Sequence, residues 1–266
     1  MKDSTVVGAV FNRDFSAWVA VKNRSHRSFR QPGVRLRPRG ALASLFWLLP
    51  RGEFNSGVRK IIMTFQELVS QAINYKIRSI EQRFCPDQYV GQISQFGINL
   101  TDFPVRDIPE KRPNDHKCLI MVLESPHVAE FSKVPCPANG KTGKNIRKWM
   151  CDVKGLSSYK ENYGLVIINA IQYQCSLGVT PGCFRDDVFE TVWKDFGETD
   201  FVTRLKTVYR DGDVILNCCT KGKGNNKNGE LRRMVQQAIR SAEIDTVLLR
   251  RTHPASWHSV QNRESE

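Results

Sequence analysis

The sequence predicts an α/β protein, a three-layer α/β/α sandwich around a central, mainly parallel sheet of four strands. In the second half of the 266-residue chain, short apolar runs alternate with amphipathic segments. Continuous apolar strands of this kind are typical of a parallel sheet that is covered by helices on both faces. The chain is long enough to bury a substantial core. No apolar run reaches the eighteen or so residues that a membrane span requires.

The predicted elements begin at Met63. Thr64 and Glu67 form a capping box before an amphipathic pattern that continues to Ile80. Apolar runs predict strands at 117–123, 164–171, 213–218 and 245–250. Amphipathic spacing predicts helices at 142–150, across 185–210 and at 229–243. We therefore expect one domain over 63–266, with an N-terminal helical part at 63–112 and a core at 113–266.

Residues 1–62 differ from the rest in composition. They contain twelve Lys or Arg and three Asp or Glu, a net charge of +9 out of +13 for the whole chain. They show no sustained period and are rich in Arg, Ser, Pro and Gly, which predicts disorder. Three interpretations remain open: a nucleic-acid-binding arm, an Arg-rich targeting sequence, or an upstream extension of the reading frame, which we favour. The fold is not expected to depend on this segment.

The cysteine pattern bears on cofactors and compartment. None of the eight cysteines forms a C-x-x-C pair, and Cys218 and Cys219 are adjacent. This pattern argues against a disulfide scaffold and against a standard zinc or cluster site. We expect no metal and no cofactor, mostly buried reduced thiols, and a cytoplasmic protein.

The stretch CPANGKTGKN at 136–145 invites comparison with a nucleotide-binding P-loop. In that motif the first glycine would stand at position 135, which is Pro135. The preceding apolar run also ends at Leu123, whereas a P-loop follows its strand closely. Nucleotide binding through Lys141 and Thr142 is therefore a minor alternative.

Candidate functional residues stand at the ends of the predicted strands, where open α/β sheets bind ligands. LESPH follows the first strand, Asn169 belongs to the second, and THPAS follows the fourth. With PANGKTG at 137–143, these motifs resemble, in order, those of the uracil-DNA glycosylase superfamily. The nearest branch has Gly-Glu-Ala-Pro as its first motif and His-Pro-Ala-Ala as its last. The resemblance covers about residues 117–258.

The resemblance implies an enzyme that flips a base out of DNA and hydrolyses its N-glycosidic bond. Asn169 would read the base edge through its amide. His253, held extended by Pro254, would donate to the developing base anion. Glu124 would orient or activate water, with Ser125 beside it. The implied partner is single- or double-stranded DNA, bound by a monomer.

Further residues are assigned by the same resemblance. The base pocket would include Pro126, His127 and Ala138. DNA contacts would come from Lys141, Arg251, Ser256 and Trp257. Trp257 stands where related enzymes carry an apolar wedge that fills the vacated base stack.

The chain departs from the family pattern at three of these positions. Ser125 replaces a catalytic aspartate of the best-known uracil enzymes, Ala138 an aromatic that stacks on uracil, and His127 a glycine. The cluster-binding cysteines of one branch are absent from this sequence. Because loss of the aromatic enlarges the pocket, we expect a bulkier, modified base, such as one found in phage DNA.

Plainer interpretations stay open beside the functional ones. Asn169 could cap a turn, His253 could be a loop residue, and Glu124 could tie down its own loop. Trp257 could be a core aromatic, and Arg251 a solvated surface residue. Ser125 and Ala138 also favour an alternative function, that of a nucleic-acid-binding module with the same fold and no catalytic activity.

Overall fold

The structure is a computed structural model that describes residues 63–73, 83–96, 111–132, 134–177, 183–222 and 230–265. The predictions for residues 1–62 and for the helical pattern between 74 and 82 lie outside these ranges.

The sheet has five strands in the described part of the chain, not four. The strands are β1 Gln88–Gln92, β2 Lys117–Leu123, β3 Tyr163–Asn169, β4 Val214–Asn217 and β5 Val247–Arg250. Their order across the sheet is β1-β3-β2-β4-β5. The strands β2 to β5 correspond to the four predicted ones and are parallel, whereas β1 runs antiparallel to β3.

The additional strand β1 has a weak sequence signal. It is five residues long, has glutamine at both ends, and contains Gly91 at a φ of 120°. Its register with β3 shifts between Tyr89 and Gly91, which marks a bulge. The segment has neither the apolar alternation nor the continuous apolar run that predicts a strand. Only its pairing with β3 defines it.

Helices connect the strands. They are α1 Phe65–Ala72, α2 Lys141–Trp149, α3 Arg185–Val192, α4 Glu198–Val208, α5 Glu230–Ser241 and α6 Val260–Glu264. A wide π-helical segment, Trp193–Gly197, joins α3 to α4. The predicted capping box of α1 is confirmed, because Glu67 N donates to Thr64 Oγ1 and Thr64 N donates to Glu67 Oε2. Among the described helices, none combines the length and the apolarity needed to cross a bilayer.

Each face of the sheet packs against its own apolar cluster. Ile120 and Val122 of β2 belong to a cluster with side chains of α1, α3, α4 and α5. Leu119 and Met121, which alternate with them, belong to a second cluster with Ile146 of α2 and the 150–156 segment. Because successive strand side chains point to opposite faces, one apolar run supplies both cores. The sheet is thus covered on both sides.

The crossover connections change faces of the sheet between β2 and β4. The β2–β3 crossover passes through α2 on one face, whereas the β3–β4 and β4–β5 crossovers pass through helices on the other. The chain therefore leaves the neighbouring strands β2 and β4 toward opposite faces. In open α/β sheets this switch point, at the carboxyl ends of the strands, is where ligands bind.

Candidate functional site at the carboxyl ends of the strands

Glu124 and His253 meet at this edge. Glu124 directly follows β2, and its Oε2 lies 3.5 Å from Nε2 of His253. The other ring nitrogen of His253, Nδ1, accepts a hydrogen bond of 3.2 Å from Ala255 N. In the neutral ring the proton therefore sits on Nε2, directed at Glu124. The predicted extended backbone of His253 before Pro254 is confirmed, with φ −62° and ψ 134°.

Burial determines the charge of this histidine. It lowers the pKa of His253 below its ordinary value, while the nearby carboxyl group of Glu124 acts in the opposite direction. Arg185 and Arg232 lower the pKa further through their positive charges. His253 is therefore a neutral donor near pH 7.

The carboxyl group of Glu124 is held by the loops around it. Its Oε2 accepts a hydrogen bond of 3.3 Å from Thr220 N, in the loop after β4. Its Oε1 lies 3.6 Å from Nη1 of Arg185, the first residue of α3. Arg185 is oriented in turn by Asp186, at 2.7 Å. The side chain of Glu124 thus contacts both the loop after β4 and the start of α3.

Asn169 ends β3 in the same region and is only 1 % exposed. Its backbone oxygen accepts a hydrogen bond of 3.1 Å from Arg204 Nη2, and Arg204 binds both oxygens of Asp87. By contrast, neither Oδ1 nor Nδ2 of the amide has a hydrogen-bond partner among the described residues. The amide caps no turn there. A buried polar group in this state costs about 1–3 kcal/mol, so it calls for a ligand or another specific explanation.

Glu130 lies beside this amide and was not predicted from the sequence. It is buried in the turn Val128–Phe131, where its Oε1 accepts from His127 N at 3.3 Å. Burial raises the pKa of Glu130 to about 8, although hydrogen bonds from the backbone of His127 and Ala138 lower it. The Asn169 amide is also close enough to lower this pKa, without reaching a hydrogen bond of standard geometry. Near pH 7 a neutral carboxyl group therefore adjoins Asn169.

The sequence contains a signal for Glu130, a capping box with an atypical first residue. His127 and Glu130 form a capping box, in which the His127 side chain accepts from the turn and Glu130 accepts from His127 N. Capping boxes are recognised in sequences by Ser or Thr at the first position. Because His127 occupies that position, the pattern was not recognised.

The remaining predicted pocket residues lie around this centre. Pro126 is buried, and His127 Nδ1 accepts from Ala129 N at 3.3 Å. Burial raises the pKa of the Cys175 thiol to about 12, and a hydrogen bond with the Ser125 hydroxyl group acts in the opposite direction. These residues shape the loop that carries Glu124 and Glu130.

Ala138 lies next to the site, but its side chain does not line an open cavity. The residue is fully buried at a φ of 59°, and its side chain belongs to the apolar cluster that contains Ile146 and Trp257. Its backbone is what reaches the site, through the hydrogen bond to Glu130. The expectation that alanine here enlarges a pocket is therefore corrected, because the core fills the space around it.

Two predicted DNA contacts are also corrected. Trp257 is fully buried, and its Nε1 donates to Thr252 O at 3.0 Å, so it is a core aromatic and cannot act as a surface wedge. Arg251 is 8 % exposed and donates to Lys154 O from Nε at 2.8 Å and from Nη2 at 2.6 Å. Its guanidinium group holds a loop, which removes it from direct phosphate contact.

The other two predicted DNA contacts remain accessible to different degrees. Ser256 is partly exposed and its hydroxyl group donates to His253 O at 2.7 Å, which stabilises the turn after the histidine. Lys141 is exposed at the first position of α2. Seventeen residues separate the end of β2 at Leu123 from Lys141, so α2 does not follow its strand as a P-loop helix would.

An open groove of about 560 Å³ lies elsewhere, between α1 and α3, and contains none of the candidate residues. Its lining includes Asp187, Glu190 and Asp195, whose negative charges do not suit a nucleic-acid ligand. The polar centre at the carboxyl ends of the strands is the better candidate site.

Comparison of the chain with family models, with curated proteins and with solved structures gives no match. The residues of the site are therefore the basis of the proposed function.

Proposed function

We propose that the protein binds a nucleotide flipped out of DNA and hydrolyses its N-glycosidic bond, as the resemblance to the uracil-DNA glycosylase superfamily implies. One observation carries the proposal: the amide of Asn169, buried at the carboxyl edge without a hydrogen-bond partner among the described residues. An amide offers an acceptor and donors side by side, which matches the hydrogen-bonding edge of a pyrimidine. A flipped base would satisfy both amide atoms.

The Glu124–His253 pair supports the hydrolytic step. Cleavage breaks the bond between C1′ and the base nitrogen, and the base leaves with the bonding electrons. The neutral His253 N–H is a suitable donor to the departing base anion, as in other sites that stabilise developing charge. The oxygen of a water molecule would form the new bond to C1′, and Glu124 would accept a proton from this water.

The neutral Glu130 supports the recognition step. A protonated carboxyl group offers both an O–H donor and a carbonyl acceptor beside Asn169. The side chain of Ala138 is packed in the core and adds no room to the site. This position therefore gives no information about the size of the base. The substrate panel must therefore include plain uracil as well as bulkier modified pyrimidines.

The test is an excision assay on single- and double-stranded DNAs that carry these bases, scored by alkali-sensitive cleavage. We expect abasic sites with at least one modified base. His253→Ala should reduce the single-turnover rate about 10²–10³-fold, the usual loss for one charge-stabilising donor. His258→Ala is the matched control, because His258 is an exposed histidine in the same loop and should keep full activity.

Two outcomes would count against this proposal. DNA binding without abasic sites on any substrate would favour the non-catalytic binding module, which Ser125 in place of the family's aspartate supports. Equal rates for His253→Ala and the parent would leave His253 as a loop residue.

A further inference from the structure

The exposed surface of α2 is strongly basic. Lys141, Lys144 and Lys148 are all exposed, at helix positions i, i+3 and i+7, so they form one stripe along the helix. The helix itself contains no acidic residue. Over seven residues the stripe extends about 10 Å, the length of about three nucleotides of one DNA strand.

Beyond the end of α2, exposed Asp152 precedes a further exposed lysine, Lys154. Exposed Lys154 lies in a loop whose backbone is held from two sides, because Lys154 O accepts from Arg251 and Lys154 N donates to Arg263 O at 3.1 Å. Trp149 contacts two cations, Lys148 Nζ at 4.5 Å and Arg263 Cζ at 4.3 Å from its ring centre. These contacts fix the positions of the basic groups.

Two helices on the other face of the sheet, α3 and α4, have the opposite character. Asp187, Glu198 and Asp200 are exposed on α3 and α4, and Asp195 lies between them. Lys194 is paired with Glu190 at 3.7 Å. Exposed acids are therefore concentrated on α3 and α4, whereas α5 on the same face exposes Arg233 and Arg240. A row of exposed lysines without an acidic residue is a property of α2, and it suits a polyanion.

The basic stripe begins at the candidate site. Asn145 on the second turn of α2 donates from Nδ2 to Pro254 O and Ala255 O, at 3.0 Å each. The loop that carries His253 is therefore tied directly to α2. Lys141 and Lys144 lie within four residues of Asn145 on the same helix.

We propose that Lys141, Lys144, Lys148 and Lys154, here called the α2 basic surface, bind the DNA backbone beside the target nucleotide. The identification of DNA as the partner rests on the proposed function. The surface itself is identified by its charge and its position. Lysines supply phosphate contacts that position DNA without reading its sequence. Arg251 is then a positioning residue, because it holds the Lys154 loop instead of contacting phosphate.

The experiment compares two double variants with the same change in net charge. Lys144→Gln/Lys148→Gln removes two lysines from the α2 basic surface. Lys194→Gln/Lys206→Gln removes two exposed lysines from the other face. Both proteins, and the parent, are titrated with an unmodified DNA duplex at several salt concentrations. Unmodified DNA separates backbone binding from base excision.

We expect the slope of log affinity against log salt to fall by about 2 in the α2 variant, since each lost phosphate contact removes roughly 0.9. The control variant should keep the parent's slope. Equal slopes in the two variants would overturn the proposal, and so would the absence of salt-dependent binding by the parent.

The result is independent of the proposed chemistry. If the slope changes only in the α2 variant and no substrate is excised, the proposed binding surface is supported and the proposed glycosylase activity is contradicted. If the parent excises a base and the α2 variant binds DNA as the parent does, the proposed activity is supported and the proposed binding surface is contradicted.

Discussion

Two asparagines at strand ends lie on opposite faces of the sheet and differ in their surroundings, because Asn169 pairs in register with Leu123 and Asn217 with Val122. Asn169 ends β3 and Asn217 ends β4, on either side of β2, and both are buried. Asn217 Nδ2 donates to Arg232 O and to Gln236 Oε1, and its Oδ1 accepts from Cys219 N at 3.1 Å. The amide of Asn169 has no such partners among the described residues.

The difference distinguishes a structural residue from a binding residue. The burial of Asn217 is compensated, since its hydrogen bonds tie the β4 end to α5. The amide of Asn169 loses its hydrogen bonds with water and forms none of standard geometry with the described residues, which is unfavourable until a ligand supplies them. Functional sites are where such local violations of good packing are expected. Substitutions at the two positions should therefore affect different properties.

The largest effect should be on activity at Asn169. Asn169→Ala removes the amide that reads the base, and we expect kcat/KM for excision to fall about 10²–10³-fold. Asn217→Ala, assayed at a temperature where it is fully folded, should stay within about tenfold of the parent. Similar losses in both variants would show that the two asparagines do not differ in function.

The next largest effect should be on stability, at Asn217. Asn217→Ala leaves the buried Cys219 N–H without its partner, which costs about 1–3 kcal/mol of unfolding free energy. Asn169→Ala should leave stability unchanged or raise it, because it removes an uncompensated polar group. Denaturant titration of both variants measures the difference. The reverse ranking would mean that Asn169 is the structural residue.

A smaller effect should appear in the dependence of stability on pH. Burial raises the pKa of Glu130 to about 8 in the folded protein, above the ordinary value of 4.5. The folded state therefore binds the proton more tightly, and this contribution to stability is lost as pH rises from about 4.5 through 8. Glu130→Gln cannot ionise, so its melting temperature should gain on the parent's as pH rises to 8 and beyond. Parallel melting curves from pH 5 to 9 would contradict the neutral state of Glu130 beside Asn169.

The smallest effect should come from Thr220. Its Oγ1 is buried and, like the Asn169 amide, has no hydrogen-bond partner among the described residues. Thr220→Val keeps the shape and removes the hydroxyl group, so stability should change by less than about 0.5 kcal/mol. A fall in excision activity at constant stability would place this hydroxyl group in the binding site. A clear loss of stability would show instead that Thr220, like Asn217, is a structural residue.

The sequence by itself determined the parts that depend on local chemistry. The apolar runs of β2 to β5 and the amphipathic spacing of α2 and α5 specify their own secondary structure, because period and apolarity are local properties. The capping box at Thr64 is likewise complete within four residues. The places of Glu124, Asn169 and His253 also follow, since parallel strands bring their carboxyl ends to one edge.

Only the tertiary structure decided the parts that depend on distant partners. The strand β1 exists through its pairing with β3, and Arg251 holds the carbonyl of Lys154, 97 residues away in the sequence. Burial, not residue type, makes Trp257 a core aromatic and Glu130 a neutral acid. Free energies of burial and hydrogen bonding depend on what surrounds a group in space, and the local sequence does not contain that information.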